Sequence, residues 1–123
     1  MKKIYISFVL LSLICLGFAS FSFAEDTIKI GFNIPLTGEI PKVGEESKFA
    51  GQMLMNEVNA AGGLDVGGKK YKLEFIYEDN ESNAESAVAV TLTLIERDQV
   101  LAIVGPNSSK PAVPAGQVDN DKR

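Results

Sequence analysis

Two hydrophobic periods alternate along this chain, and their order constrains the fold more than any single motif does. Residues 27–33 place Ile28, Ile30 and Phe32 at every second position, the period of a strand, with Lys29 and Gly31 between them. From Gly44 the spacing lengthens. Ala50, Leu54, Val58 and Ala61 stand four and three apart, and Phe49 and Met53 widen the stripe, so a helix is expected to pack on a sheet through that face. Glu45 and Glu46 are expected in its first turn, where the helix dipole favours acid, and Gly62 and Gly63 end it. The period returns to two at Tyr71, Leu73, Phe75 and Tyr77, after Leu64, Asp65, Val66 and a Gly67-Gly68 turn, which predicts a small hairpin feeding a second strand. It lengthens again over residues 83–97 through Ala87, Val90, Thr91 and Leu94, with Ser82 and Glu85 at capping-box spacing. Residues 100–104 then read Val, Leu, Ala, Ile, Val, a run apolar on both faces, as a central parallel strand covered by helices requires. Strand, helix, strand, helix, strand predicts an α/β fold with a parallel sheet and right-handed crossovers.

The first 24 residues stand outside this pattern. Lys2 and Lys3 give a positive start, residues 4–18 are apolar apart from small or hydroxyl-bearing interruptions, and Ser22 and Ala24 occupy the small-residue positions of a cleavage site. A signal peptide over 1–24 is expected, because about 15 apolar residues fall short of the ~20 that span a bilayer. Cys15 lies inside that run and Ile14 before it is not small, which disfavours lipid attachment. Cleavage would leave 99 of the 123 residues and take the charge balance from 12 basic and 16 acidic to 10 and 16, a formal charge of −6. An acidic chain of this kind lacks the basic patches that bind nucleic acid or an anionic membrane surface.

Residues 34–43 carry Pro35, Gly38 and Pro41 and read as a loop, long enough to contact a ligand at the strand-to-helix end of an α/β unit. After the apolar run, Gly105, Pro106, Asn107, Ser108 and Ser109 form a turn into a further helix. Pro111 suits its first turn, while Pro114 and Gly116 weaken it. Free amides and hydroxyls at such a helix start suit a carboxylate, and the same Ser108 or Ser109 could equally cap the helix itself. Both readings stay open at this level. The chain contains no histidine and no cysteine after Cys15, which excludes a Ser-His-Asp triad, a Cys-His pair and a His/Cys zinc site within it. No P-loop ending and no G-x-G-x-x-G is present. The acidic stretch Glu78, Asp79, Asn80 and Glu81 is expected to complement the next helix dipole rather than to hold a metal. No strand follows residues 119–123, so an incomplete α/β unit is expected.

Several pieces, in order, are similar to one family. They are Ile28-Lys29-Ile30-Gly31, Pro35-Leu36-Thr37-Gly38, Val43-Gly44, Asn59-Ala60-Ala61-Gly62-Gly63, Tyr77-Glu78-Asp79 and Ile103-Val104-Gly105-Pro106-Asn107-Ser108-Ser109. With the signal peptide before them they resemble the leucine/isoleucine/valine-binding substrate-binding proteins of bacterial ABC importers. The resemblance implies a three-layer parallel sheet of a type I periplasmic-binding-protein lobe, with residues 25–123 as the opening part of lobe one, its first three β-α units. It also implies a periplasmic or extracytoplasmic binding protein, not an enzyme, that needs no cofactor and delivers an amino acid or similar small carboxylate to a membrane permease. An extracellular ligand-sensing domain of a receptor with the same fold is the alternative. By position, Ser109 would hydrogen-bond the ligand carboxylate, Ser108 would shape the turn, and Val43 stands where an aromatic residue often touches the ligand side chain. Valine there departs from the pattern and leaves the substrate open. A charge-assisted hydrogen bond contributes about 1.5–3 kcal/mol and a helix-end anion about 0.3–2, whereas micromolar affinity needs about 8. One half-site therefore binds weakly.

Overall fold

A computed structural model describes residues 26–122; the expected signal segment and Cys15 lie outside the described residues. Four strands, β1 (Thr27–Ile34), β2 (Leu64–Val66), β3 (Lys69–Asp79) and β4 (Ala102–Val104), alternate with three helices, α1 (Pro41–Ala60), α2 (Ala84–Glu96) and α3 (Ser109–Lys122). The sheet order is β2-β3-β1-β4. β1 runs parallel to both β3 and β4, and β2 folds back antiparallel on β3 through the expected two-glycine turn, Leu64 opposite Tyr71.

Among the described residues the inner strands are β3 and β1, and residues 102–104 lie beside β1 at the edge. Gly31 and Asn33 of β1 are buried: a side chain on Gly31 would meet Leu94 Cδ1 at 2.8 Å, and the Asn33 amide donates to Ala87 O at 2.8 Å and Thr91 Oγ1 at 3.0 Å, both on α2. On the other face Phe32 stacks at tilted angles on Phe75, 5.1 Å away, and Tyr77, 4.8 Å away. β4 enters the ladder for only three residues, Ile30–Ala102 to Phe32–Val104 in register, and forms an edge among the described residues. Leu101 is 63% exposed and Val104 47%. The apolar run serves two elements: Val100 belongs to the core of Val90 and Leu94, against which Ile76 and Ile103 pack, and only its latter part pairs with β1.

α1 also departs from expectation. It begins at Pro41, the favoured first helical position for proline, so Val43 is helical rather than in the loop, and no acidic residue lies in the first turn. The face it lays on the sheet carries Gly44 and Gly51, both buried, whereas Phe49 is 65% exposed and Leu54 54%. The sheet supplies the volume here. A Cβ on Gly51 would stand 2.7 Å from the Tyr77 hydroxyl and 3.1 Å from Phe32 Cζ, and one on Gly44 would run into the Pro35 carbonyl. The helix ends as expected on glycines in the left-handed region, Gly62 at φ 95° and Gly63 at φ 98°, with Gly63 N donating to Val58 O at 2.9 Å.

α2 is capped by Asn83, not by Ser82. The Asn83 side chain accepts from Glu85 N at 2.7 Å and Ser86 N at 3.4 Å, and Ser82 is left at φ 58° with other work. α3 carries Pro114 inside it and still continues to Lys122, with Pro111 and Ala115 buried. α2 and α3 pack together on one face of the sheet and α1 covers the other, giving three layers. No helix among the described residues is long and apolar enough to cross a membrane.

Candidate functional site

Because β1, β3 and β4 are parallel, the loops that follow them open along one edge of the sheet, the usual ligand position in an open α/β sheet. Residues 35–40 lead into α1, residues 80–83 into α2 and residues 105–108 into α3.

The turn after β4 is held from below and from the side. Gly105, at φ 99°, lies so close to the Asn33 carbonyl that a side chain would not fit, and the Gly105-Pro106 bond is cis. Asn107 Nδ2 donates to Ser47 Oγ on α1 at 3.1 Å, and Ser47 Oγ donates to Val43 O at 2.8 Å. These bonds bring the α1 turn bearing Val43, which is 40% exposed, beside the turn bearing Ser108 and Ser109.

Ser108 O accepts from Ala112 N at 3.0 Å, which makes Ser108 the N-cap of α3. The third helical residue is Pro111, which has no N–H, so the ordinary bond from that position to the cap hydroxyl cannot form. Among the described residues no hydrogen bond engages either serine hydroxyl. Ser109 is exposed and Ser108 half-buried. The first turn of a 14-residue helix therefore has its amides at Ser109 and Lys110, with two hydroxyls, at the edge where the parallel strands end.

Sequence reasoning missed the residues that carry the other loops. The acidic stretch does not serve mainly as helix-dipole complement. Glu78 pairs with Arg97 at 2.6 Å, and Glu81 accepts from the Ser86 hydroxyl at 2.7 Å. Asp79 Oδ1 accepts from Leu36 N at 2.8 Å, Thr37 N at 3.1 Å and Glu81 N at 2.8 Å, and Oδ2 from Thr37 Oγ1 at 2.6 Å. Burial raises the Asp79 pKa, but the Thr37 hydroxyl and the Glu81, Thr37 and Leu36 amides outweigh it and hold the carboxyl below its ordinary range. Asn80 is fully buried. Its Nδ2 donates to Asn33 Oδ1 at 2.9 Å and its Oδ1 accepts from Ser82 N at 3.0 Å. Ser82 Oγ accepts from Glu39 N at 3.0 Å and Ile40 N at 3.2 Å and donates to Thr37 O at 3.1 Å. The available signal was position: polar residues at the carboxyl end of a strand in a parallel sheet face the crevice edge. No cluster of three or more metal-ligating side chains occurs among the described residues.

The sequence profile of the family described as periplasmic binding protein matches residues 27–123. The chain belongs to this family. A leucine-, isoleucine-, valine-, threonine- and alanine-binding protein of Pseudomonas aeruginosa is 33% identical over 106 residues, which is 86% of this chain and 27% of the relative. Among solved structures, the branched-chain amino acid transporter substrate-binding protein LivJ of Streptococcus pneumoniae, in complex with isoleucine, superposes with a TM-score of 0.71 at 35% identity, covering 79% of this chain and 27% of that one. A solute-binding protein of an ABC transporter from Rhodopseudomonas palustris, in complex with 3,4-dihydroxybenzoic acid, superposes with a TM-score of 0.65 at 28% identity, covering 79% and 25%. The chain thus spans about a quarter of the length of these periplasmic binding proteins.

Proposed function

We propose that this chain forms one wall of the ligand crevice of an extracytoplasmic solute-binding protein that takes an amino acid of the branched-chain type, or a similar small carboxylate, for delivery to an ABC permease. Residues 1–24 direct export in this reading and are removed. The observation that carries it is the start of α3: the exposed Ser109, the half-buried Ser108 and the first-turn amides of Ser109 and Lys110, with the third-position donor to the cap removed at Pro111, at the edge where the parallel strands end. Ser109 holds the carboxylate, Ser108 shapes the turn, and Val43 offers a small apolar surface to the ligand side chain. The molecules bound by the two superposed relatives, isoleucine and 3,4-dihydroxybenzoic acid, share a carboxylate, which supports that class. The role is binding rather than catalysis, since the chain holds no histidine and no cysteine after Cys15 with which to build a nucleophile and base.

The test is a two-lobed chimera in which residues 26–122 replace the matching part of the Pseudomonas aeruginosa relative. Calorimetry with leucine, isoleucine and valine is expected to show binding, and Ser109→Ala to weaken it about tenfold or more, the loss of one charge-assisted hydrogen bond. A folded chimera that binds none of the 20 amino acids contradicts the function, and unchanged affinity in Ser109→Ala reduces Ser109 to a helix-terminal residue.

A further inference from the structure

We infer that Asp79 and Ser82 are positioning residues for the ligand crevice: their side chains clasp residues 35–40 and thereby set where the Val43 turn of α1 stands against the Ser108 and Ser109 turn. The consequence for ligand rests on the function proposed above; the clasp itself rests on geometry alone.

Residues 35–40 provide little for themselves. The loop backbone makes two short-range bonds, Leu36 N to Ile34 O at 3.2 Å and Val43 N to Ile40 O at 3.1 Å, and Ile40, the N-cap of α1, offers no side-chain cap. The amides of Leu36, Thr37, Glu39 and Ile40 and the Thr37 hydroxyl and carbonyl all bond to the carboxylate of Asp79 or the hydroxyl of Ser82. Ser82 supplies from the neighbouring loop an acceptor for the two amides that lead into α1, Glu39 N and Ile40 N, and Gly38, at φ 88°, fits flush against the Glu81 carbonyl where a side chain has no room. The last residue of β3 and one residue of the loop after it therefore hold Leu36, Thr37, Glu39 and Ile40.

The placement separates this clasp from the core. α1 is seated along its middle by Gly51 on Phe32 and Tyr77, and the cluster of Val90, Leu94 and Val100 lies with α2. The N-terminal turns of α1, by contrast, are held by the clasp, by Gly44 against Pro35 and by the Asn107–Ser47 bond. Opening the clasp shifts the wall that carries Val43 and Ser47 while the sheet and its core remain.

The experiment uses the two-lobed chimera and isoleucine. Asp79→Ala is expected to raise the dissociation constant about tenfold or more, since the Leu36 and Thr37 amides lose their acceptor and the Val43 turn shifts, with stoichiometry still near one. Asp79→Asn is expected to restore affinity, because its amide oxygen can accept from the Leu36, Thr37 and Glu81 amides. Unchanged affinity in Asp79→Ala, with only stoichiometry or melting temperature lowered, overturns the inference. Ser82→Ala, the milder change, is read the same way and decides the matter if Asp79→Ala does not fold. Ser109→Ala runs alongside. A wild-type chimera that folds and binds nothing refutes the functional reading, whereas a binding chimera weakened by Ser109→Ala and indifferent to both clasp variants refutes the clasp alone. If the chimera itself does not fold, amide exchange on the 123-residue chain, with and without the substitution, decides: Asp79→Ala must deprotect Leu36 and Thr37 and shift the Val43 and Ser47 resonances, and a clasp variant that leaves them in place overturns the inference.

Discussion

Four donors converge on the Asp79 carboxylate, and together they favour its ionised form more than partial burial disfavours it. Its folded-state pKa lies below the ordinary 3.8, so it stabilises the fold fully above that value and the contribution is lost as pH falls through the lower, folded-state pKa. Thermal melts of the wild type and of Asp79→Asn from about pH 6 down to about pH 2 check this: the wild type should be the more stable at the upper end and the two should converge at the lower end, whereas a constant gap contradicts it. Little of this was legible in the sequence. Ser82 and Glu85 have capping-box spacing, yet the partners of Ser82 are Thr37, Glu39 and Ile40, more than 40 positions away. Local spacing cannot report a bond that depends on two loops meeting at one edge of a sheet. The turn and helix start at Ser108 and Ser109 were legible, because an apolar run breaking at glycine and proline into hydroxyls is a local pattern with a local cause.

At the scale of elements, order and type could be read while faces could not. The hairpin and the glycine end of α1 follow from turn chemistry, and both stand where the pattern puts them. The apolar stripe of α1 was the wrong guide to its buried face. Phe32, Phe75 and Tyr77 already fill the space above the sheet, so the helix face that approaches closest is the one without side chains, at Gly44 and Gly51. Chemical denaturation of the chain separates the two readings. Gly51→Val is expected to cost about 1–3 kcal/mol through overpacking, against a helix-propensity gain of a few tenths. Met53→Lys, at a side chain 61% exposed, is expected to change stability by less than about 0.5 kcal/mol. The reverse ranking contradicts the glycine-down packing. β1 teaches the same lesson: Gly31 and Asn33 look like the solvent side of an alternating strand, and they are buried because α2 brings Leu94 to the one and a carbonyl and a hydroxyl to the other.

For the whole molecule, the family-level fold is carried by 97 described residues and the chemistry is one-sided. In the proposed role the edge at the strand ends offers a helix start, hydroxyls and a small apolar wall, worth a few kcal/mol toward a carboxylate, which corresponds to millimolar affinity at best. The 123-residue chain by itself is therefore expected to bind no amino acid at micromolar concentration. The most direct measurement is a heteronuclear NMR titration of this chain with isoleucine up to about 50 mM, well above the millimolar range of a half-site. Shifts confined to the amides of Val43, Ser47, Gly105 and residues 107–110 are predicted; no shift there, or shifts centred on another surface, would contradict a ligand crevice at the ends of the parallel strands.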